Sequence, residues 1–198
     1  MSETTRPELA PEKPLNSMQF VLAGTSTPDV RARIQEIRNK PVTPTFDAKH
    51  LHEIHNRLYE DHNLTAGRLR GTNLRPDGTP LDQRAAPPAR DLADSERKVF
   101  ARLTKPDSLR GATKDQLVNA MAQDFNSLRK QNLFNDGSLE AIAIYLSQAA
   151  EHVGYSMDLL RANRSKLEPQ AGDSEHTYMV GLRKEIRRVA TPENLPWR

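Results

Sequence analysis

Residues Gln131 to Glu140 read QNLFNDGSLE and gather carboxamides, two acids, a hydroxyl and a glycine into one short turn. Asn135, Asp136, Gly137 and Ser138 have the composition of a tight turn that feeds a helix start. Such a turn aims backbone N–H groups and the positive end of a helix dipole at one point, which suits an anion. The second group of reactive types is His50, His52 and His55. His52 and His55 are three apart and can share a helical face, whereas His50 and His52 point apart. The zinc pattern His-Glu-x-x-His fails here, because Glu53 is followed by Asn56 where the second histidine belongs. A hydrogen-bonded core position is the expectation for His55.

Two amphipathic patterns must position the loop. Upstream, Leu117, Val118, Met121, Phe125 and Leu128 recur at spacings of three and four, and Thr113 with Gln116 forms a capping box that starts the helix. Downstream, Leu139, Ile142, Leu146, Ala149 and Val153 mark one face, and Gly154 stops it. Ser138 is expected to be its N-cap. Earlier, Pro28 opens a helix carrying Val30, Ile34 and Ile37, which Pro41 and Pro44 end. A second helix is expected from about Asp47 to His62, burying Phe46, Leu51, Ile54 and Leu58. A third runs from Asp91 to Leu103, and Pro106 to Arg110 is a connection. Beyond the loop helices, the pattern predicts a helix from Ser156 to about Lys166, a break at Glu168–Asp173, and a last helix from Ser174. Its basic run, Arg183, Lys184, Arg187 and Arg188, complements the helix dipole, with an acidic partner surface as the alternative.

The chain has 198 residues, 36% hydrophobic, with a formal net charge of +3, and its mean hydropathy is −0.75. That length suits one domain of residues 26–190, flanked by a mobile Pro/Ser/Thr-rich tail at 1–25 and a short C-terminal tail at 191–198. Zero cysteines exclude disulfides, thiol nucleophiles and Cys-bound metals. A small, dispersed charge without a motif argues against a nucleic-acid partner. No run approaches the roughly 18 apolar residues of a membrane span. The acidic, polar start is not a Sec signal peptide, so the expected location is the cytoplasm, or delivery by a dedicated secretion system.

The loop and its helices resemble the core of the Fic (Fido) family of nucleotidyl transferases. Its loop reads His-x-Phe-x-Asp/Glu-Gly-Asn-Gly-Arg-x-x-Arg. Phe134, Asp136 and Gly137 match, whereas Asn132 stands at the histidine, Ser138 at Asn, Leu139 at Gly, Glu140 at the first Arg and Ala143 at the second. A second block, Phe46 to Leu74, resembles the family's opening helix and turn through Ile54, His55, Leu58, Tyr59, Ala66, Gly67 and Arg70, with Thr65 in place of Trp. The resemblance is strongest over residues 46–165. It implies an all-α, Fic-like helical bundle of about six to eight helices with a small β-hairpin flap, assigned by position to Asn73, Leu74, Asp77 and Gly78 within the Gly- and Pro-rich stretch 71–89.

In that family the histidine deprotonates a target hydroxyl, the arginines and loop backbone hold the nucleotide, and the acid binds magnesium. Asn132 is no base, a loss on the order of 10²- to 10⁴-fold in rate. Glu140 reverses a charge against a polyanion, and Leu139 adds bulk where phosphate must approach. The resemblance therefore implies a protein that binds a protein partner and needs no cofactor, as an effector or regulatory pseudoenzyme. The alternative is a Fic-type transferase of AMP or another phosphate-linked group onto a protein hydroxyl. It would use Mg and ATP, with Asp136 on the metal and His152 or His62 as a replacement base.

Overall fold

The computed structural model describes residues 28–60, 66–69, 89–134 and 137–192. Asp136, Arg70, His62, Trp197, the residues 1–27 and the flap positions Asn73, Leu74, Asp77 and Gly78 lie outside the described residues. Within them are seven α-helices and one two-stranded antiparallel ribbon, a helical bundle in the expected size range.

Helix α1 (Pro28–Asn39) starts on its proline and buries Val30, Ile34 and Ile37. Helix α2 (Ala48–Tyr59) is capped by Asp47, whose carboxylate accepts the His50 N–H at 2.9 Å. It buries Leu51, Ile54 and Leu58. Phe46, just outside, takes a left-handed backbone with φ 52° and places its ring edge-on to His50, Tyr145 and His152. Helix α3 (Ala89–Phe100) ends before a stretch that Asp124 anchors, its carboxylate accepting the Thr104 N–H at 3.1 Å. Burial pushes the Asp124 carboxyl up to about 6, against the pull of its Thr104 bonds.

Helix α4 (Lys114–Gln131) carries the capping box, with Gln116 N–H donating to Thr113 Oγ1 and Thr113 N–H donating to Gln116 Oε1 at 2.8 Å. Its expected face, Leu117 to Leu128, is buried. Helix α5 (Ser138–His152) is more deeply set than one stripe implies. Every residue from Leu139 to Leu146 is buried, and the helix packs against α2 and α4. Ala141, Ala143, Ala149 and Ala150 keep that all-round contact close, so α5 is the centre of the core. Truncating a large buried side chain in such a core costs about 2–5 kcal/mol.

After α5 the chain departs from expectation. No helix spans 156–166. Gly154, at φ 88°, turns the chain into strand β1 (Tyr155–Met157), followed by a 3₁₀ turn at Leu159–Arg161 and the short helix α6 (Arg164–Leu167). Two local caps force the restarts, since Asp158 accepts the Leu160 N–H and Asn163 accepts the Ser165 N–H. Met157 and Leu160 are buried as their pattern required. Helix α7 (Glu175–Val189) begins at its Ser174 cap and packs on α4. It runs directly into β2 (Ala190–Pro192), where Ser156 lies opposite Thr191 and Met157 opposite Ala190. This ribbon is distinct from the flap segment expected at 71–89.

Candidate functional site

At the loop, α4 stops because Asn132 turns left-handed, with φ 44° and ψ 59°, and its N–H donates to the Arg129 carbonyl at 3.1 Å. Asparagine tolerates that conformation better than most residues, so position 132 serves as a helix stop. Its carboxamide is exposed and offers no proton acceptor of useful basicity. Leu133 and Phe134 then dive into the core. The Phe134 ring stacks on His55 at 3.9 Å between centroids, with planes 17° apart. His55 is buried, and its Nδ1 accepts the Gly67 N–H at 2.9 Å. Three of the residues singled out by sequence, Phe134, His55 and Gly67, thus form one contiguous packing unit, and His55 is the hydrogen-bonded core histidine expected.

Gly137 is the N-cap of α5, with φ 68°. A Cβ there would sit 2.1 Å from the Tyr59 ring, which leans on His55 at 5.0 Å. Only glycine fits, so the aromatic ring lies directly on the start of the helix. Ser138 is the first helical residue rather than the cap. Its hydroxyl turns back to accept the Phe134 N–H and donate to the Phe134 carbonyl, both at 3.4 Å. The tight contact of Gly137 with Tyr59 takes the cap position that a serine would otherwise hold.

Glu140 lies in the first turn of α5 and is buried. Burial raises its carboxyl above the ordinary value, although its own backbone N–H and Arg164 hold the charged form and Glu168 adds repulsion. Arg164 Nη1 stands 3.7 Å from Oε1. Glu140 is legible in the sequence as a charge reversal against a polyanion, but its partner Arg164 is not. Nothing in the local pattern links positions so far apart.

An open depression of about 730 Å³ flanks the loop, lined by Arg129, Lys130, Asn132, Ser138, Leu139 and the 168–170 stretch. Its cations are committed elsewhere. Arg129 lies over the Tyr178 ring at 5.0 Å and donates to Asn126 Oδ1, and Lys130 pairs with Glu175. His152, considered as a replacement base, sits at the far end of α5 with Nε2 3.0 Å from Asp107 Oδ1. At about 1.5 Å rise per residue it is roughly 20 Å from the loop, so it cannot act there.

The remaining histidines go to separate partners. His50, whose pKa burial lowers against its bond to Gln148, has Nε2 2.7 Å from Gln148 Oε1. His52 contacts Gly67 O and Glu96. Among the described residues no group of three His, Asp or Glu could hold a metal, and no helix is long and apolar enough to cross a membrane.

The fold that carries this loop, with α2 stacked on it through His55 and Phe134, is the Fic fold. Particular likenesses are to effectors of Bartonella. The N-terminal Fic domain of a VirB-translocated Bep effector from Bartonella quintana, with bound ADP, is 17% identical, with a TM-score of 0.70 over 84% of this chain and 83% of that one. BepC from Bartonella tribocorum, with bound AMPPNP, is 18% identical, with a TM-score of 0.64 over 84% of each chain. The Fic domain of Bep8 from Bartonella sp. 1-1C is 21% identical, with a TM-score of 0.61 over 80% of this chain and 81% of that one. No family profile and no curated protein matches the sequence.

Proposed function

We propose that this protein is a Fic-fold binding protein without transferase chemistry, an effector or regulator that acts by engaging another protein. The observation that carries the reading is the buried Glu140 carboxylate in the first turn of α5, held by Arg164. A triphosphate brought to that helix start would meet a carboxylate. At about 5 Å and an effective dielectric of roughly 20, its charge alone would oppose each phosphate charge by about 3 kcal/mol, which Arg164 offsets in part. Leu139 adds a branched side chain beside it, and Asn132 supplies no base. The residues present do not fit a nucleoside triphosphate.

Delivery by a secretion system fits the likeness to translocated Bartonella effectors, and a protein partner fits the effector role. The alternative, a transferase with altered residues, draws on the 730 Å³ depression beside Asn132 and Ser138. Calorimetry with magnesium plus ATP, GTP, UTP or CDP-choline separates the two. The expected result is no heat of binding up to millimolar ligand. Saturable binding, with label transferred to a protein and lost in Asp136→Ala, overturns the proposal.

A further inference from the structure

We propose that His52 is a proton-operated staple, holding both the 66–69 turn and α3 to α2 only while each of its ring nitrogens carries a hydrogen. Nδ1 of His52 faces the Gly67 carbonyl oxygen at 2.9 Å, and Nε2 faces Glu96 Oε1 of α3. Both partners are acceptors. A neutral imidazole has one N–H and can serve one of them, so the two bonds together require the imidazolium. On losing that proton the ring must abandon either the turn or α3, and a partly buried acceptor goes unpaired.

The surroundings favour the charged ring. His52 is 24% exposed and Glu96 12%, so solvent screens the pair only in part. Burial opposes the charge, but the Glu96 hydrogen bond, the Glu96 charge and the Gly67 carbonyl together hold the imidazole above its ordinary value. Glu96 is the charged side chain acting on it from α3, and the 66–69 turn presents main chain. The loop after α4 presents the edge of Phe134 at 5.3 Å. On α2 itself, His55 lies one turn away and is a neutral acceptor toward the Gly67 N–H.

Gly67 is therefore gripped at both ends of its residue by two rings in opposite protonation states. The position excludes a side chain, because a Cβ there would lie 2.8 Å from Asn56 Cβ, and its φ is +68°. The staple is a property of α2, α3 and the turn, and it stands whether or not the protein binds a partner.

Histidine-ring NMR titration of the full chain, run alongside amide hydrogen exchange, tests this. The expected result is a His52 midpoint above the ordinary histidine value. As pH rises through the His52 midpoint, exchange at 66–69 and in α3, corrected for intrinsic base catalysis, should step up about tenfold for each pKa unit by which the contacts raise His52. In Glu96→Gln the midpoint falls and the step shrinks, because a carboxamide can donate to the neutral Nε2 and keep both bonds; in His52→Gln the step disappears. A wild-type protein without the step, or a step that is undiminished in Glu96→Gln, overturns the staple. Should His52→Gln not fold, the wild type and Glu96→Gln decide alone.

Discussion

The two ends of α5 carry comparable sets of charged and aromatic groups and put them to opposite uses. At the start, Glu140 is buried with Arg164 beside it, and the Tyr59 ring fills the space a Cβ at Gly137 would need. At the finish, His152 and Arg110 both reach Asp107, whose side chain is 74% exposed. Water screens the second cluster, so its ion pairs add little to stability. In the first, Glu140 is buried while Arg164 reaches it from a half-exposed position, so removing the arginine leaves a buried carboxylate without its cation. A helix start that organises an anion site in other proteins has here been built into the core.

That contrast can be broken most severely at Gly137→Ala. The new methyl meets the Tyr59 ring and the backbone is held at positive φ, so a loss of about 2–4 kcal/mol is expected in urea unfolding. Tyr59→Ala should recover part of it in the double variant, leaving the backbone strain.

A smaller loss, about 1–3 kcal/mol at pH 7, is expected for Arg164→Met, which leaves the Glu140 carboxylate without its cation. The pH profile sharpens this. Because the folded state raises the Glu140 pKa, the folded protein binds its proton more tightly than the unfolded chain does. The stability due to the protonated carboxyl is full below the unfolded value and is lost as pH rises through the folded one. Arg164→Met raises that pKa further, so the deficit should shrink as the pH is lowered, and Glu140→Gln should flatten the profile.

The smallest effect belongs to the other end. Asp107→Asn should leave the urea midpoint within experimental scatter, because the carboxylate it removes is largely exposed. A midpoint shift as large as that of Arg164→Met would erase the distinction between the two ends.

Much of the bundle was legible because its signals are local. Pro28, the Thr113–Gln116 box and the Leu117–Leu128 face are decided within a turn or two of helix, and they formed as expected. The stretch 156–166 misled because Met157 and Leu160 have helical spacing, while Asp158 and Asn163 each offer the backbone a stronger local alternative. At the site, His55, Gly67 and Phe134 were found by type and order. Their neighbours Tyr59 and Arg164 were not assigned their roles, since a ring over a glycine and a guanidinium beside a distant carboxylate leave no mark at one position. The serine cap failed for the same reason: Tyr59, far away in sequence, decides who occupies the helix start.

The β1–β2 ribbon turns the segment between its two strands into a buckled strap. Everything from Met157 to Ala190, α7 included, is pinned at its two ends by residues that face each other, so α7 cannot peel away from α4 without first unfastening Ser156 from Thr191. The entropy of closing so long a loop is spent in the folded state, and a cut just after Val189 would forfeit the clasp while leaving every helix nominally intact.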